Sequence, residues 1–481
     1  MPKSVLLLAA AVMALTPAAA QQLRYLDPRD VAQAQREHAQ LVQELGGAET
    51  GPRAAYVASV GRRVSAYSGL ANPAQALHFT TLNSAVENAF SVPGGYVYVT
   101  RQLLTLMDDE AELAFAIGHE VGHVAANHAH IREQYARRNS YGVLGQIVGA
   151  IFGGGLGNVL EAKAKMDTLG FSREQEYQAD SLGIRYMIQA GYDPVGASEI
   201  LAALSRNTAL QARVQGRTNR QTPEWASTHP LSENRMQRAL IEARSTGRLG
   251  KGVRNRDGFL SEIEGIYVDD DPAQGVIDGA TFTHPDLRIQ FRVPTGYLMS
   301  NATDAVTISG SAGKAQFRGG QFSGSLDQAA MLALRQLTGG QSQFVPPPQH
   351  VMINGMPAAI TSTRANGTSG PIDVSVAVYQ WDPQRVYYFL MLTPGGYGVG
   401  PFIPMINSLR RITPQEAAAI RPRIIHVVTV APGDTVQSLA SRMVYSDFRL
   451  ERFLSLNGLE SNSRLVPGQK VKLVVYGARR S

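Results

Sequence analysis

Two histidines that flank a glutamate, in His119-Glu120-Val121-Gly122-His123, constrain the fold of this chain more than any other feature. The surrounding stretch is apolar and begins with Asp108-Asp109, a residue type that caps helix N-termini. On the helix that this pattern predicts, His119 and His123 lie one turn apart on one face, so both imidazoles can reach one metal ion. Glu120 is rotated by about 100° from His119. It is therefore close enough to take a proton from water at the metal without binding the ion itself.

The composition excludes several classes of site and partner. Cysteine is absent, which rules out a thiol nucleophile, a thiolate metal site and disulfides, so a metal would bind through histidine and carboxylate side chains. Hydrophobic residues make up 44% of the chain, enough to build a core and to exclude wholesale disorder. The net charge of +6 comes with no basic run or interleaved aromatic stripe, so we expect no nucleic-acid partner.

A third histidine ligand on the same helix is not predicted. The helical pattern continues over 101–130, but an extended metal-binding motif would need Gly and His where the chain has Ala126 and Ala129. His128 would lie about 180° around the helix from His119, and His130 about 16 Å along its axis. Both histidines are therefore predicted to be structural or to lie at the helix end.

A carboxylate on a second helix is a better third ligand. Ser172-Arg173-Glu174-Gln175 is a capping-box start, and the helix that it opens carries Glu176 and Asp180. These two carboxylates are one turn apart and share a face, an arrangement that an exposed acidic pair would also show. With the two histidines, Glu176 can complete a tetrahedral zinc site that keeps one open position, as catalytic sites do. Asp180 can then accept a hydrogen bond from a ligand imidazole and fix its tautomer.

The combined motifs resemble the gluzincin peptidases of family M48. The resemblance covers residues from about 55 to 245 and is carried by the following stretches: His119 to His123, Glu176 to Asp180, Asn88-Ala89-Phe90-Ser91-Val92-Pro93-Gly94-Gly95, and Ser227-Thr228-His229-Pro230 with Arg235. It implies one Zn²⁺ per chain, bound by His119, His123 and Glu176, and Glu120 as the catalytic base. No stretch of this chain reads as a membrane span of the kind that some members have, so the soluble branch is expected.

The same resemblance suggests how substrate binds. Gly94 and Gly95 would make a hairpin turn, and Tyr96–Thr100 would form an edge strand near the metal. A peptide could add to that edge by backbone hydrogen bonds, which explains cleavage with little sequence preference. Gly95, Tyr96, Val97 and Tyr98 are therefore the predicted substrate-binding residues; the alternative is an edge strand with no ligand role.

His229 is the second predicted catalytic residue. Pro230 suits the first turn of the helix predicted over 231–245 and holds His229 in extended backbone, so its imidazole can project away from that helix. The family resemblance implies that this loop lies near the metal. His229 could then ligate zinc in a latent state, stabilise the oxyanion, or simply pack under the loop.

The N-terminus predicts export. Residues 1–20 carry Lys3, an apolar stretch from Val5 to Leu15 and Ala18-Ala19-Ala20, which is typical of a signal peptide cleaved near Ala20. A retained anchor is the alternative. Export without cysteine favours the bacterial periplasm. The glycine-rich apolar segment Tyr141–Leu160 reads as a helical hairpin, with a lipid- or client-contacting surface, or a true span, as alternatives.

Changes in composition and in hydrophobic pattern along the chain predict a multidomain fold. Residues 21–249 are expected to be a mostly α, zincin-type catalytic domain with a small β-hairpin, and 250–258 a linker. Residues 259–412 carry short β-like runs and one helix, Ser325–Leu337, which indicates an α+β accessory domain of unassigned function. Its runs loosely resemble small α/β domains of the PsbP type.

The last segment, 426–476, resembles a LysM module, a small βααβ fold. The resemblance is carried by Pro432-Gly433-Asp434-Thr435, Leu456-Asn457-Gly458-Leu459 and Pro467-Gly468-Gln469, while the stretch between Ala440 and Leu456 is longer than the LysM pattern has. LysM modules bind N-acetylglucosamine-containing glycans, so peptidoglycan is an expected partner. The distance along the chain from the metal motifs predicts a separable module.

Together these features predict a periplasmic zinc metalloendopeptidase. By resemblance, its polypeptide substrates are misfolded or stalled envelope proteins, and its partners include the outer-membrane assembly machinery. Two alternatives remain: a peptidase directed at peptidoglycan, and a chaperone or scaffold that rarely cleaves.

Overall fold

The computed structural model describes residues 23–129, 171–214, 229, 233–338, 345–367 and 370–479. The expected signal peptide, the segment Tyr141–Leu160, His130 and the neighbours of His229 lie outside this part of the chain. Within the described ranges, no helix combines the length and the apolar character that crossing a membrane requires.

The N-terminal region is mostly helical. Among the described residues its helices are α1 (Pro28–Glu44), α2 (Pro52–Ser65), α3 (Pro73–Ala76), α4 (Arg101–Leu106), α5 (Glu110–Ala125), α6 (Arg173–Gln189), α7 (Val195–Val214) and α8 (Glu233–Ser245). The helix predicted over 101–130 is interrupted after Leu106, where Met107 is extended. Asp109 then caps α5, since its carboxylate accepts hydrogen bonds from the amides of Ala111 and Glu112. Helix α5 then ends at Ala125, and Asn127 turns the chain with a φ of 57°.

Helices α5 and α6 pack closely because glycines line their contact. A Cβ added at Gly183 would lie 2.9 Å from the backbone nitrogen of His119, and one at Gly118 would lie 3.2 Å from the Cα of Gly183. No larger residue fits at these points without moving a helix. This contact brings the histidine face of α5 against the carboxylate face of α6.

A three-stranded sheet lies beside these helices. Strand β3 (Tyr96–Thr100) is its middle strand, with β1 (His78–Leu82) parallel on one side and β2 (Ala89–Val92) antiparallel on the other. Gly94 and Gly95 form the β2–β3 turn with φ values of 93° and 89°. A side chain at Gly95 would be blocked by the carbonyl of Ala76, 2.1 Å from the position of its Cβ.

A large β-rich region follows. Its strands are β5 (Val276–Asp278), β6 (Thr281–His284), β7 (Ile289–Arg292), β8 (Leu298–Asn301), β9 (Val306–Gly310), β10 (Gly313–Gln321), β11 (Gln349–Ile353), β12 (Met356–Gly367), β13 (Gly370–Asp382), β14 (Arg385–Pro394) and β15 (Arg410–Arg411). Seven of them form one sheet in the order β11-β12-β13-β14-β10-β9-β8, and the others form a four-stranded sheet. Helix α10 (Leu326–Thr338) packs on one face of the larger sheet, through residues such as Leu334 against Val376. Helix α11 (Ile403–Ser408) and the smaller sheet pack on the core of the other face.

The C-terminal segment has the βααβ order. It consists of β16 (Arg423–Thr429), α13 (Val436–Ala440), α14 (Arg449–Leu456) and β17 (Lys470–Tyr476), preceded by α12 (Pro414–Ala419). Helix α9 (Arg256–Ile263) and strand β4 (Tyr267–Val268) join it to the N-terminal helices, since β4 pairs with β16. One continuous hydrophobic core includes residues of α5, α9, β16 and β17.

This packing differs from two sequence-based expectations. The predicted linker 250–258 is held against the N-terminal region, with the Val253 amide donating to the Gly191 carbonyl at 2.9 Å. The predicted accessory domain starts at 259, but residues 259–268 pack in the first core because Phe259, Leu260 and Ile263 are buried there. The polar composition of residues 250–258 predicted a linker, but backbone groups of this segment form hydrogen bonds with the N-terminal region.

The C-terminal module also packs against the N-terminal helices, a contact that the prediction of a separable module did not include. Lys472 of β17 is completely buried, and its Nζ donates to the carbonyls of Thr105 at 2.9 Å and Met107 at 2.6 Å. These carbonyls lie at the break between α4 and α5. The C-terminal module thus holds the chain where it enters the helix that carries the two histidines.

We expect Lys472→Met to lower the free energy of unfolding of this shared core by about 2–5 kcal/mol, because it leaves two buried carbonyls without their donor and removes one of the two cations paired with Asp108. Chemical denaturation of the full chain measures this. Lys470→Met, two residues along the same strand at a side chain 33% exposed, is the matched control. Its partner is the exposed Asp257, so its expected effect is below about 1 kcal/mol. Equal losses for both variants would contradict the bridging role of Lys472.

Candidate metal centre

Four buried side chains from three parts of the chain converge on one point. They are His119 and His123 from α5, Glu176 from α6, and His229, and one ligand atom of each lies within 4.8 Å of the others. The two Nε2 atoms of His119 and His123 are 3.0 Å apart, and Glu176 Oε1 lies 3.4 Å from His123 Nε2. Tetrahedral zinc with ligand distances of about 2.0–2.1 Å separates its ligands by roughly 3.4 Å. The donor set and its spacing therefore fit zinc.

Asp180 and Arg235 hold two of these side chains. Asp180 Oδ1 lies 2.9 Å from His119 Nδ1, which directs Nε2 of the ring toward the cluster. Arg235 is fully buried; it donates to Asp180 at 2.9 and 2.7 Å, and its Nη1 lies 2.6 Å from Glu176 Oε2. Burial alone would raise the pKa of Glu176, but His229 and Arg235 hold that pKa well below its usual range. The carboxylate is therefore ionised and ready to bind a cation.

Glu120 lies beside the cluster and outside the group of four. Ser91 of β2 donates to Glu120 Oε2 at 3.0 Å, and Oε1 faces His229 Nε2 at 3.4 Å. Burial raises the pKa of Glu120, with His229 and His119 opposing that rise. A carboxylate with a raised pKa is better matched to proton transfer near neutral pH.

His229 is within contact distance of the proposed ligands. Its Nδ1 lies 3.0 Å from Glu176 Oε1 and 3.2 Å from His119 Nε2. Burial would lower the pKa of His229, but the carboxylates of Glu176 and Glu120 raise it. His229 could therefore hold a metal ion together with His119, His123 and Glu176.

The sequence predicted that His128 would point away from the metal ligands, but its ring contacts His123. Because α5 ends at Ala125 and Asn127 turns the chain, the His128 ring returns beneath His123, with 2.9 Å between their Nδ1 atoms. Its Nε2 lies 3.1 Å from Gln178 Oε1 on α6. Sequence periodicity could not reveal this contact, since it assumed that the helix continued.

The predicted substrate edge is wrong. Tyr96, Val97 and Tyr98 lie in β3, whose five residues are all buried between β1 and β2. The reason is that residues 78–82 add a parallel strand to the expected hairpin and convert its second strand into the centre of the sheet. Strand β2 is the edge strand beside Glu120, and Gly95 makes the turn without reaching the cluster of ligands.

A cavity of about 1050 Å³ opens next to the cluster. Its lining includes His123 of α5, Ser91 and Pro93 at the end of β2, and Arg185 of α6. Of the four clustered side chains, only that of His123 is part of this lining. Three residues support the site without having been predicted to do so. Ser91 and Arg235 had been noted only as members of motifs, and His128 only as a structural or helix-end histidine.

A second group of carboxylates has partners of its own. Asp109, Glu112 and Glu199 lie near one another, but Arg254 pairs with both Asp109 and Glu199. Asp109 also caps α5. We therefore interpret this group as structural.

The comparisons with known proteins agree with the motifs. Residues 52–243 match the sequence model of Peptidase family M48, and residues 428–474 match that of the LysM domain. The chain is 30% identical over 190 residues to the β-barrel assembly-enhancing protease of Escherichia coli O157:H7, a region that is 38% of this chain and 37% of that protein. It is 29% identical over 187 residues to the mitochondrial metalloendopeptidase OMA1 of Schizosaccharomyces pombe, covering 39% of this chain and 52% of that protein.

These matches leave much of each relative uncovered, since the chain spans between about a third and a half of the curated proteins named here. Cyanobacterial PsbP from Synechocystis aligns with 28% of this chain and 98% of its own at 8% identity and a TM-score of 0.22, a score too low to indicate a shared fold. The predicted resemblance to M48 peptidases and LysM modules is confirmed. So is the coarse architecture of a helical N-terminal region, a large β-rich region and a C-terminal LysM.

Proposed function

We propose that this chain, which carries an M48 zinc metallopeptidase domain at residues 52–243 and a LysM domain at 428–474, is an endopeptidase of the periplasm that cleaves misfolded or stalled envelope proteins. The observation that carries the proposal is the buried group of His119, His123 and Glu176 with Glu120 beside it. Such a set of two histidines and a carboxylate is typical of catalytic zinc.

In the proposed mechanism His119, His123 and Glu176 would hold the metal. Zinc in such a site supplies Lewis acidity, which polarises a peptide carbonyl and lowers the pKa of water. Glu120 removes a proton from the attacking water while the new C–O bond forms. It then gives that proton to the amide nitrogen as the C–N bond breaks. Ser91 keeps the Glu120 carboxylate oriented through its 3.0 Å hydrogen bond.

Strand β2, and not β3, is the proposed substrate edge. Its Ser91 contacts the base, and Ser91 and Pro93 line the large cavity. An extended polypeptide can pair with an exposed strand edge through backbone groups alone. This would allow cleavage of many unfolded sequences, as a quality-control protease requires.

We propose that His229 keeps the resting enzyme latent by binding at the open side of the cluster. Its contacts with Glu176 and His119 support this role. His229→Ala is then expected to raise basal hydrolysis of unfolded casein, because the fourth ligand no longer competes with substrate. If His229 instead stabilised the oxyanion, the same variant would lose roughly 2.7–4 kcal/mol of transition-state stabilisation. Steady-state kinetics with zinc titration separate the two, and unchanged rate and zinc affinity would leave only a packing role.

The cellular setting is part of the proposal. The expected signal peptide at residues 1–20 and the LysM domain support a periplasmic location near peptidoglycan. One relative is named for β-barrel assembly, and we extend this to outer-membrane assembly machinery as the partner of this chain.

The LysM domain also favours a second candidate, a peptidase that acts on peptidoglycan itself. Purified mature protein offered casein and muropeptides in parallel distinguishes the two, since the proposed function predicts cleavage of casein only. Sedimentation of the intact Glu120→Gln chain with purified sacculi tests glycan binding separately. Cleavage of muropeptides with intact casein would replace the first proposal by the second.

A further inference from the structure

We propose that His128 is a positioning residue that sets the tautomer of His123 through a relay ending at Gln178. This role rests on the metal site of the proposed function. It makes His128 the support of His123, as Asp180 is the support of His119. The relay consists of three side chains, His123, His128 and Gln178, joined by contacts of 2.9 and 3.1 Å.

The direction of each hydrogen bond follows from the one before it. His123 Nε2 faces His119 Nε2 at 3.0 Å and Glu176 at 3.4 Å, so Nε2 is the atom that would bind metal and it must be unprotonated. The ring proton of neutral His123 is then on Nδ1. His123 is 1% exposed, and a buried N–H requires an acceptor.

His128 supplies that acceptor only in one tautomer. Its Nδ1 lies 2.9 Å from His123 Nδ1 and must carry a lone pair, so its own proton is on Nε2. Gln178 Oε1 lies 3.1 Å from that Nε2 and accepts the proton. Phe171 stacks on the His123 ring with 3.8 Å between centroids, but an aromatic face fixes the plane of the ring and not its tautomer.

Two local features build the relay. The left-handed Asn127 turns the chain after α5 and returns His128 to the ring of His123. Glu176, Gln178 and Asp180 all lie on helix α6. One helix therefore supplies the ligand Glu176, the Gln178 contact to His128 and the Asp180 contact to His119. Loss of a support of this kind costs a metal site about 10–100-fold in affinity.

The experiment compares His128→Leu with His128→Asn in the full chain. Asparagine carries its side-chain oxygen on Cγ, where histidine carries Nδ1, and can accept from His123; leucine cannot. Zinc dissociation constants from chelator competition should rise about 10–100-fold for His128→Leu and stay near wild type for His128→Asn. The metal-free proteins should unfold at similar temperatures, which separates positioning from folding.

Unaltered zinc affinity in His128→Leu would overturn the relay, as would equal weakening in both variants. Gln178→Leu should weaken zinc binding less than His128→Leu, since water can replace its exposed amide. These readouts need no proteolysis. Zinc-binding wild-type protein that fails to cleave casein would contradict the proposed function and leave the relay standing.

Discussion

Glu120→Gln is expected to lower the rate of peptide cleavage by about 10²–10⁴-fold while the protein retains stoichiometric zinc. The amide cannot accept the proton of the attacking water, whereas the three proposed ligands are untouched. Gln still offers an oxygen to Ser91, which donates to Glu120 Oε2 at 3.0 Å in the native protein. The local packing should therefore survive, and the loss should appear in kcat.

Zinc content by elemental analysis and steady-state cleavage of casein measure the two halves of this prediction. Glu174→Gln is the matched control, because Glu174 is exposed on α6 and takes no part in the cluster. Near wild-type cleavage by Glu120→Gln would refute the assignment of Glu120 as the base. Loss of zinc in the same variant would instead give Glu120 a role as a ligand.

Glu176→Ala is expected to abolish activity by a different route, the loss of metal. Removing a ligand should weaken zinc binding by more than the roughly 10–100-fold that a supporting residue contributes. The change also takes away the carboxylate that faces Arg235 at 2.6 Å, although Asp180 remains paired with that guanidinium. We therefore expect a smaller, separate loss of about 1–3 kcal/mol in the stability of the metal-free protein.

Circular dichroism of the metal-free protein distinguishes metal loss from unfolding. Glu174→Ala, two residues earlier on α6, should keep both zinc and activity, since its side chain is exposed. Activity that returned to Glu176→Ala only at high zinc would support the ligand role. Tight zinc binding by a folded Glu176→Ala protein would exclude it.

The helical spacing of two residue pairs could be predicted from the sequence alone. The spacing of His119 and His123, and of Glu176 and Asp180, places each pair on one face of a helix whatever surrounds it. The capping box at Ser172 was equally local, and the structure has both of its hydrogen bonds. Such features depend on residues within one or two turns, so the pattern of side chains determines them.

Contacts between distant segments were decided only by the tertiary structure. Residues 78–82 pair with 96–100 and turn the predicted edge strand into a central one, a choice that no alternation of side chains in Tyr96–Thr100 encodes. Lys472 donates to carbonyls more than 360 residues away, at the break between α4 and α5. The sequence of strand β17 contains nothing that predicts this contact. The prediction for His128 assumed that helix α5 continued through it. The left-handed Asn127 instead turns the chain and brings His128 to His123. Local geometry follows from steric limits within each segment, whereas strand partners and buried polar contacts follow from which surfaces pack together when the whole chain folds.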